Sequence, residues 1–185
     1  MALPKLESPT YTLELPSTGR EVQYRPFLVK EQKILMIAQE SEDPKVINKA
    51  MKDIVSSCTF GEVDVNKSPL FDVEYVFLKL RMKSVGESVT VNILCPDDGE
   101  TRVPVTINLE EVDVHMVDGH TREIRVTDNV LIKMKYPQLN DMNVLQEKGN
   151  PSGATMKIMQ NCIDEIHFGE DIYKSMDISK KELEE

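Results

Sequence analysis

Tryptophan is absent from this 185-residue chain, and aromatic residues make up only 5 % of it, which leaves the core to aliphatic side chains and methionine. Basic charge is also short. There are 22 Lys and Arg against 32 Asp and Glu, a formal net charge of −10. Such a chain repels phosphate backbones and anionic lipid heads, so neither nucleic acid nor a membrane surface is an expected partner. No apolar run approaches the ~18 residues a membrane span requires. Cysteine is scarce: Cys58, Cys95 and Cys162 are far apart and odd in number. That pattern excludes a disulfide framework and favours free thiols in a reducing cytoplasm. The opening MALPKLESPT has neither a charged n-region nor an apolar core, so no signal peptide is expected. Asn66-Lys67-Ser68 matches a glycosylation acceptor but is discounted without a secretion signal. A Gly-rich phosphate loop, a G-x-S-x-G elbow and an H-E-x-x-H helix are all missing, so no enzyme, cofactor or small-molecule substrate is expected. No internal repeat or low-complexity tract occurs.

What the chain does contain suits a globular protein: 40 % hydrophobic and 29 % charged residues. The length allows one domain with a real core, or two small ones. Methionine is abundant at ten residues. It fills irregular gaps and adapts to differently shaped partners. Acid collects at the C-terminus, where residues 164–185 hold eight acids and three lysines.

Pattern along the chain predicts an α+β fold: an N-terminal hairpin, three helices, an antiparallel β-meander and a C-terminal helix. Tyr11, Leu13 and Leu15 alternate with polar residues, Ser17-Thr18-Gly19 turns the chain, and Pro26 ends the second strand. Helices are expected over 28–41, where apolar residues cluster at 34–38, and after Asp43-Pro44, a good cap and first position. Val46, Ile47, Ala50, Met51, Ile54, Val55 and Cys58 form one stripe of that second helix. A third, over 70–85, is apolar on more than one face, so it is central to the core or shared with a partner. Gly86 ends it. From 87 to 136, β-rich segments flank the Pro96–Gly99 turn, the Asp118-Gly119 hairpin signal and the turn at 127–129. Residues 153–168 return to helical spacing through Met156, Ile158, Met159, Cys162, Ile163 and Ile166, with His167 at the helix end. Asp177 and Ser179 can cap a short last helix, KKELEE, too short to hold itself. Either the natural chain continues past 185 or this tail is disordered when free. The natural divisions are 1–86, 87–136 and 137–185, or a single domain.

ILCPDDGETRVPVTI resembles half of a zinc knuckle, but Cys95 has no second cysteine nearby and Asp97 and Asp98 are hard oxygen ligands. A tight turn between two strands is the better reading. Asp113, His115, Asp118 and His120 hold ligand types, yet a polar strand face and turn account for them. No metal site is expected. Interaction is what remains. The residues expected to carry it are Phe71, Tyr75, Leu78 and Met82 on helix 70–85, and Met156, Met159, Ile163 and Ile166 on helix 153–168.

Residues 15–41, LPSTGREVQYRPFLVKEQKILMIAQES, resemble the opening of the T-even-type baseplate hub subunit and hub assembly protein family of contractile-tailed phages. In that family a short hairpin leads into a Tyr-Arg-Pro-Phe element, here Tyr24, Arg25, Pro26 and Phe27. A helix follows with Glu and Lys at its first turns, here Glu31 and Lys33. The likeness extends through the next two helices and CPDDGETRVPVTINL. Some relatives carry a second cysteine in that turn; Asp98 stands near the place here, which favours a remnant hairpin over a metal site. The resemblance implies a protein needed to build the baseplate hub, with other hub proteins or the tape-measure protein as partners. It implies either an assembly chaperone that leaves or a permanent subunit, in the host cytoplasm during assembly or in the virion baseplate. A third, distant reading is a metal-linked binding module.

Overall fold

The computed structural model describes residues 8–146, 151–175 and 178. It divides into two compact units, residues 1–114 and 115–185, and is α+β as expected.

In the first unit, β1 (Tyr11–Glu14) and β2 (Glu21–Tyr24) form an antiparallel hairpin with Leu13 opposite Val22 and Tyr11 opposite Tyr24. Gly19 takes φ +66° in the turn, a left-handed value glycine adopts freely. The alternation buries Leu13, Leu15, Val22 and Tyr24 on one side. Three helices follow: α1 (Val29–Glu40), α2 (Pro44–Cys58) and α3 (Leu70–Val85). Asp43 caps α2, its carboxylate accepting from the Lys45 N–H at 2.9 Å, with Pro44 at the first position. Ala50, Ile54, Val55 and Cys58 of α2 and Val73, Val76, Leu80 and Met82 of α3 fill the core with the hairpin. The buried Asp72 carboxylate ties the hairpin turn to the start of α3, accepting from the Ser17 N–H at 3.0 Å and from its hydroxyl. The α2 stripe is only partly covered. Val46 and Ile47, in its first turn, remain exposed.

Next come β3 (Ser88–Leu94) and β4 (Arg102–Asn108), an antiparallel ribbon that pairs with no other described strand. A short 3-10 turn, Leu109–Glu111, follows, with Leu109 buried.

The second unit is a four-stranded antiparallel sheet in the order β5 (Glu123–Thr127), β6 (Val130–Met134), β7 (Ile163–Phe168), β8 (Asp171–Lys174). Helix α4 (Pro151–Asn161) lies between β6 and β7 in the chain. Cross-strand register aligns Ile124, Ile132, Ile166 and Tyr173 in one row. In the neighbouring row Glu123, Lys133, Glu165 and Lys174 alternate in sign, with Lys133 Nζ 3.6 Å from Glu165 Oε2. Opposite charges on facing residues support this register.

Three expectations need correction. The β-rich stretch 87–136 is not one meander: its strands divide between the ribbon and the sheet. The segment before β5, including Asp113 and His115, holds no strand, so these two residues share no strand face. And the helix expected over 153–168 stops at Asn161, leaving Ile163, Ile166 and His167 on β7. Ile163 and Ile166 fit helical spacing, but pairing of β7 with both β6 and β8 overrides it. The KKELEE helix lies outside the described residues.

Candidate protein-interaction surfaces

The Tyr24–Phe27 element is a four-way fastening. Tyr24 is buried against Tyr11, ring centroids 5.6 Å apart, and burial raises its phenol pKa. The Arg25 N–H donates to the Cys58 carbonyl at 3.0 Å, fixing β2 to the end of α2. Its guanidinium Nη2 meets Glu31 Oε1 at 3.0 Å and Ser57 Oγ at 3.1 Å. Glu31 is only 2 % exposed, and its other oxygen accepts from the Leu28 N–H at 2.7 Å, as a capping glutamate does. Burial alone would raise the Glu31 pKa; the bonds from Arg25 and Leu28 outweigh it and leave it lowered. Past Pro26, the Phe27 N–H donates to Ser84 Oγ of α3 at 2.8 Å, and its ring packs on Phe77 with centroids 5.9 Å apart. Lys33 is exposed. These contacts set where α1 begins and what it leaves uncovered.

What α1 leaves uncovered includes several apolar side chains beside Lys30, Gln32, Lys33, Gln39 and Glu40. Val29, Ile34, Met36 and Ile37 are exposed, and of its residues only Glu31 and Ala38 are buried. A cleft of about 310 Å³ is lined by Phe27, Leu35, Ala38, Ile47, Phe77 and Val85. Gln32, Gln39 and Arg81 complete its lining, so Arg81 is its only charge. A second concavity of about 210 Å³, lined by Ile34, Ile37, Val46 and Ala50 together with Lys49 and Asp53, shares Ala38 with the first.

The β3–β4 ribbon is the other bare surface. Its register pairs Val89 with Ile107, Val91 with Val105 and Ile93 with Val103. Alternation puts all six on one face. Thr90 and Thr106, whose hydroxyls lie 3.0 Å apart, face the other way. Yet Val91, Ile93, Val103, Val105 and Ile107 are all exposed. Pro104 fits here for a definite reason. The bonds from Cys95 N–H to Thr101 O and from Leu109 N–H to Glu87 O set the alternation. Asn92 and Pro104 then form a pair without cross-strand bonds. Pro104 therefore costs the ribbon nothing and removes a donor from the outer edge of β4.

The expected interaction residues scatter. Phe71, Tyr75 and Leu78 are half-buried on α3, with Lys79 Nζ 4.9 Å from the Tyr75 ring centre, and Met82 is core at 5 % exposure. Met156 and Met159 are exposed on α4. Ile163 and Ile166 belong to β7 and form no helical face with them. The cleft and ribbon faces did have sequence signals. The apolar run 34–38 is too continuous for one helix face, and SVTVNIL and RVPVTIN both alternate.

The Cys95 turn is a hairpin connection. Asp98 Oδ1 accepts from the Glu100 and Thr101 N–H groups at 3.0 and 2.9 Å, and its other oxygen bonds the Thr101 hydroxyl. Those bonds, led by the Thr101 hydroxyl, pull its pKa down to about 2. Its carboxylate is committed to the loop. Among the described residues no group of three or more His, Cys, Asp or Glu could hold a metal. Cys58 and Cys162 are buried, and burial pushes the Cys58 thiol up to about 11.

A family model described as T4 bacteriophage base plate protein matches residues 8–185. The chain belongs to that family. No curated protein and no solved structure matches it. As a base plate protein its surroundings are other phage proteins. None of the described helices is long and apolar enough to cross a membrane.

Proposed function

We propose that this base plate protein works without catalysis, through protein–protein contacts needed to assemble the baseplate hub, as a chaperone for a hub or tape-measure protein. The observation that carries this is the bare apolar face of the β3–β4 ribbon. A two-stranded ribbon is marginal alone, and six β-branched side chains on one face have their natural place against another protein. Exposed Met36, Met116, Met156 and Met159 add adaptable surface for a client held only for a time. The net charge of −10 keeps such a chain dissolved between engagements. On this reading it resides in the host cytoplasm during assembly.

Quantitative mass spectrometry of purified infectious particles beside purified hub intermediates tests the proposal. Presence in intermediates and absence from particles is the expected result. A fixed copy number in particles would replace the chaperone by a permanent hub subunit, with the same faces as permanent interfaces. Absence from both would remove the hub role.

A further inference from the structure

Among the described strands, β3 is the only one without a charged residue. Its sequence, SVTVNIL, also lacks Pro and Gly. Charge and proline are what blunt the edge of a sheet, and an edge without them is open to another strand. A net charge of −10 works against self-association, and this strand adds nothing to that repulsion.

The ribbon's register decides which backbone groups are free. Cys95 with Thr101 and Leu109 with Glu87 are hydrogen-bonded pairs, so Val89, Val91 and Ile93 bond inward to β4. Ser88, Thr90, Asn92 and Leu94 then turn their N–H and C=O groups outward, where no other described strand meets them. All four residues are exposed. The outer edge of β4 differs: Pro104 interrupts its donors and Arg102 adds charge.

We propose that β3 pairs antiparallel with β3 of a second copy of this chain, about a twofold axis at Val91, giving a four-stranded sheet β4-β3-β3-β4. Ser88 then faces Leu94 and Thr90 faces Asn92, so the outward groups of the two edges meet in hydrogen-bonded pairs. The same register keeps Val89, Val91 and Ile93 of both copies on one face. Antiparallel pairing points the two Asp97, Asp98 and Glu100 tips in opposite directions, whereas a parallel pair would set these like charges side by side. Pro104 blunts both remaining edges, so the assembly closes at two copies. A seven-residue edge buries less than a standard interface, so the dimer is reversible and concentration-dependent. The inference goes beyond the docking reading: it uses the ribbon's edge, leaves the apolar face free, and presents two such faces side by side.

Sedimentation of the full chain across a dilution series tests this. The mass should rise from 21.1 kDa toward twice that value with concentration. Thr90→Pro removes one outward donor and no backbone bond to β4, so the dilute protein should melt close to the parent and stay monomeric throughout. A cross-link reads the register. In a Cys95→Ser background, Val91→Cys puts two thiols opposite each other at the axis and should give a disulfide-linked dimer on mild oxidation. Val105→Cys, on the same face of β4 but off the axis, should give several-fold less. This comparison decides the matter even if Thr90→Pro does not fold. A parent that stays monomeric at every concentration, or grows past two copies, would overturn the proposal. So would a folded Thr90→Pro that still dimerises, or equal cross-linking by the two cysteine variants. Mass spectrometry of particles and hub intermediates decides the chaperone reading, and self-pairing stands or falls separately, on the purified chain.

Discussion

Arg25 and Glu31 show how a residue-level pattern becomes a fold. Six positions apart in sequence, they meet at 3.0 Å between β2, α1 and the end of α2. Removing one member of a buried pair leaves the other uncompensated, at a cost of roughly 3–5 kcal/mol. Arg25→Ala should therefore destabilise the first unit by about 3 kcal/mol, read from urea unfolding. The pH dependence has a definite sign. The folded pKa of Glu31 is depressed, so its contribution is present above the unfolded value of 4.5 and is lost as pH falls through the depressed pKa. Glu31→Gln should be less stable than the parent at pH 7, and the gap should narrow below pH 4.5. A gap that stays constant with pH would show the carboxylate's charge to be irrelevant. The sequence displayed the motif, but not its purpose. Only the chain path brings Ser57, Cys58 and Ser84 to it.

Elements differ in how far their local pattern can be trusted. The first hairpin and α2 were legible because their signals agree: alternation with a Gly turn, and an Asp-Pro cap with a helical stripe. Residues 163–168 were not, because Ile163 and Ile166 satisfy helical spacing while the pairing with β6 and β8 is long-range. The ribbon alternates plainly in sequence, but alternation implies a covered face, and here Val91, Ile93, Val103, Val105 and Ile107 stay exposed. That mismatch is what the proposed docking role of this face rests on. Val91→Thr combined with Val105→Thr should leave the melting temperature of the free protein nearly unchanged, since these side chains are already exposed. The same pair should lower hub assembly, scored as hub intermediates recovered from infected cells. If it unfolds the free protein instead, the face belongs to this chain's own core.

At the scale of the molecule, the chain separates into units meeting at Val114 and His115. Each has its own scaffold, the first with α2, α3 and the hairpin, the second with the four-stranded sheet. Residues 1–114 and 115–185 should therefore each give dispersed amide spectra when expressed separately. A collapsed spectrum from either piece would show that it depends on the other. Sequence alone settled the fold class, the first hairpin, the starts of α2 and α3, the acidic charge and the resemblance to baseplate proteins. Those rest on composition and short-range periodicity, which need no knowledge of where distant segments meet. Tertiary structure alone decided that 163–168 is a strand, that Met82 is core, and that Val29, Ile34, Met36 and Ile37 of α1 and most of the ribbon's apolar face stay exposed. It also decided that Arg81 Nη1, on α3, is buried without a hydrogen-bond partner among the described residues. Each depends on which face another element covers, a property of long-range packing that local spacing does not encode.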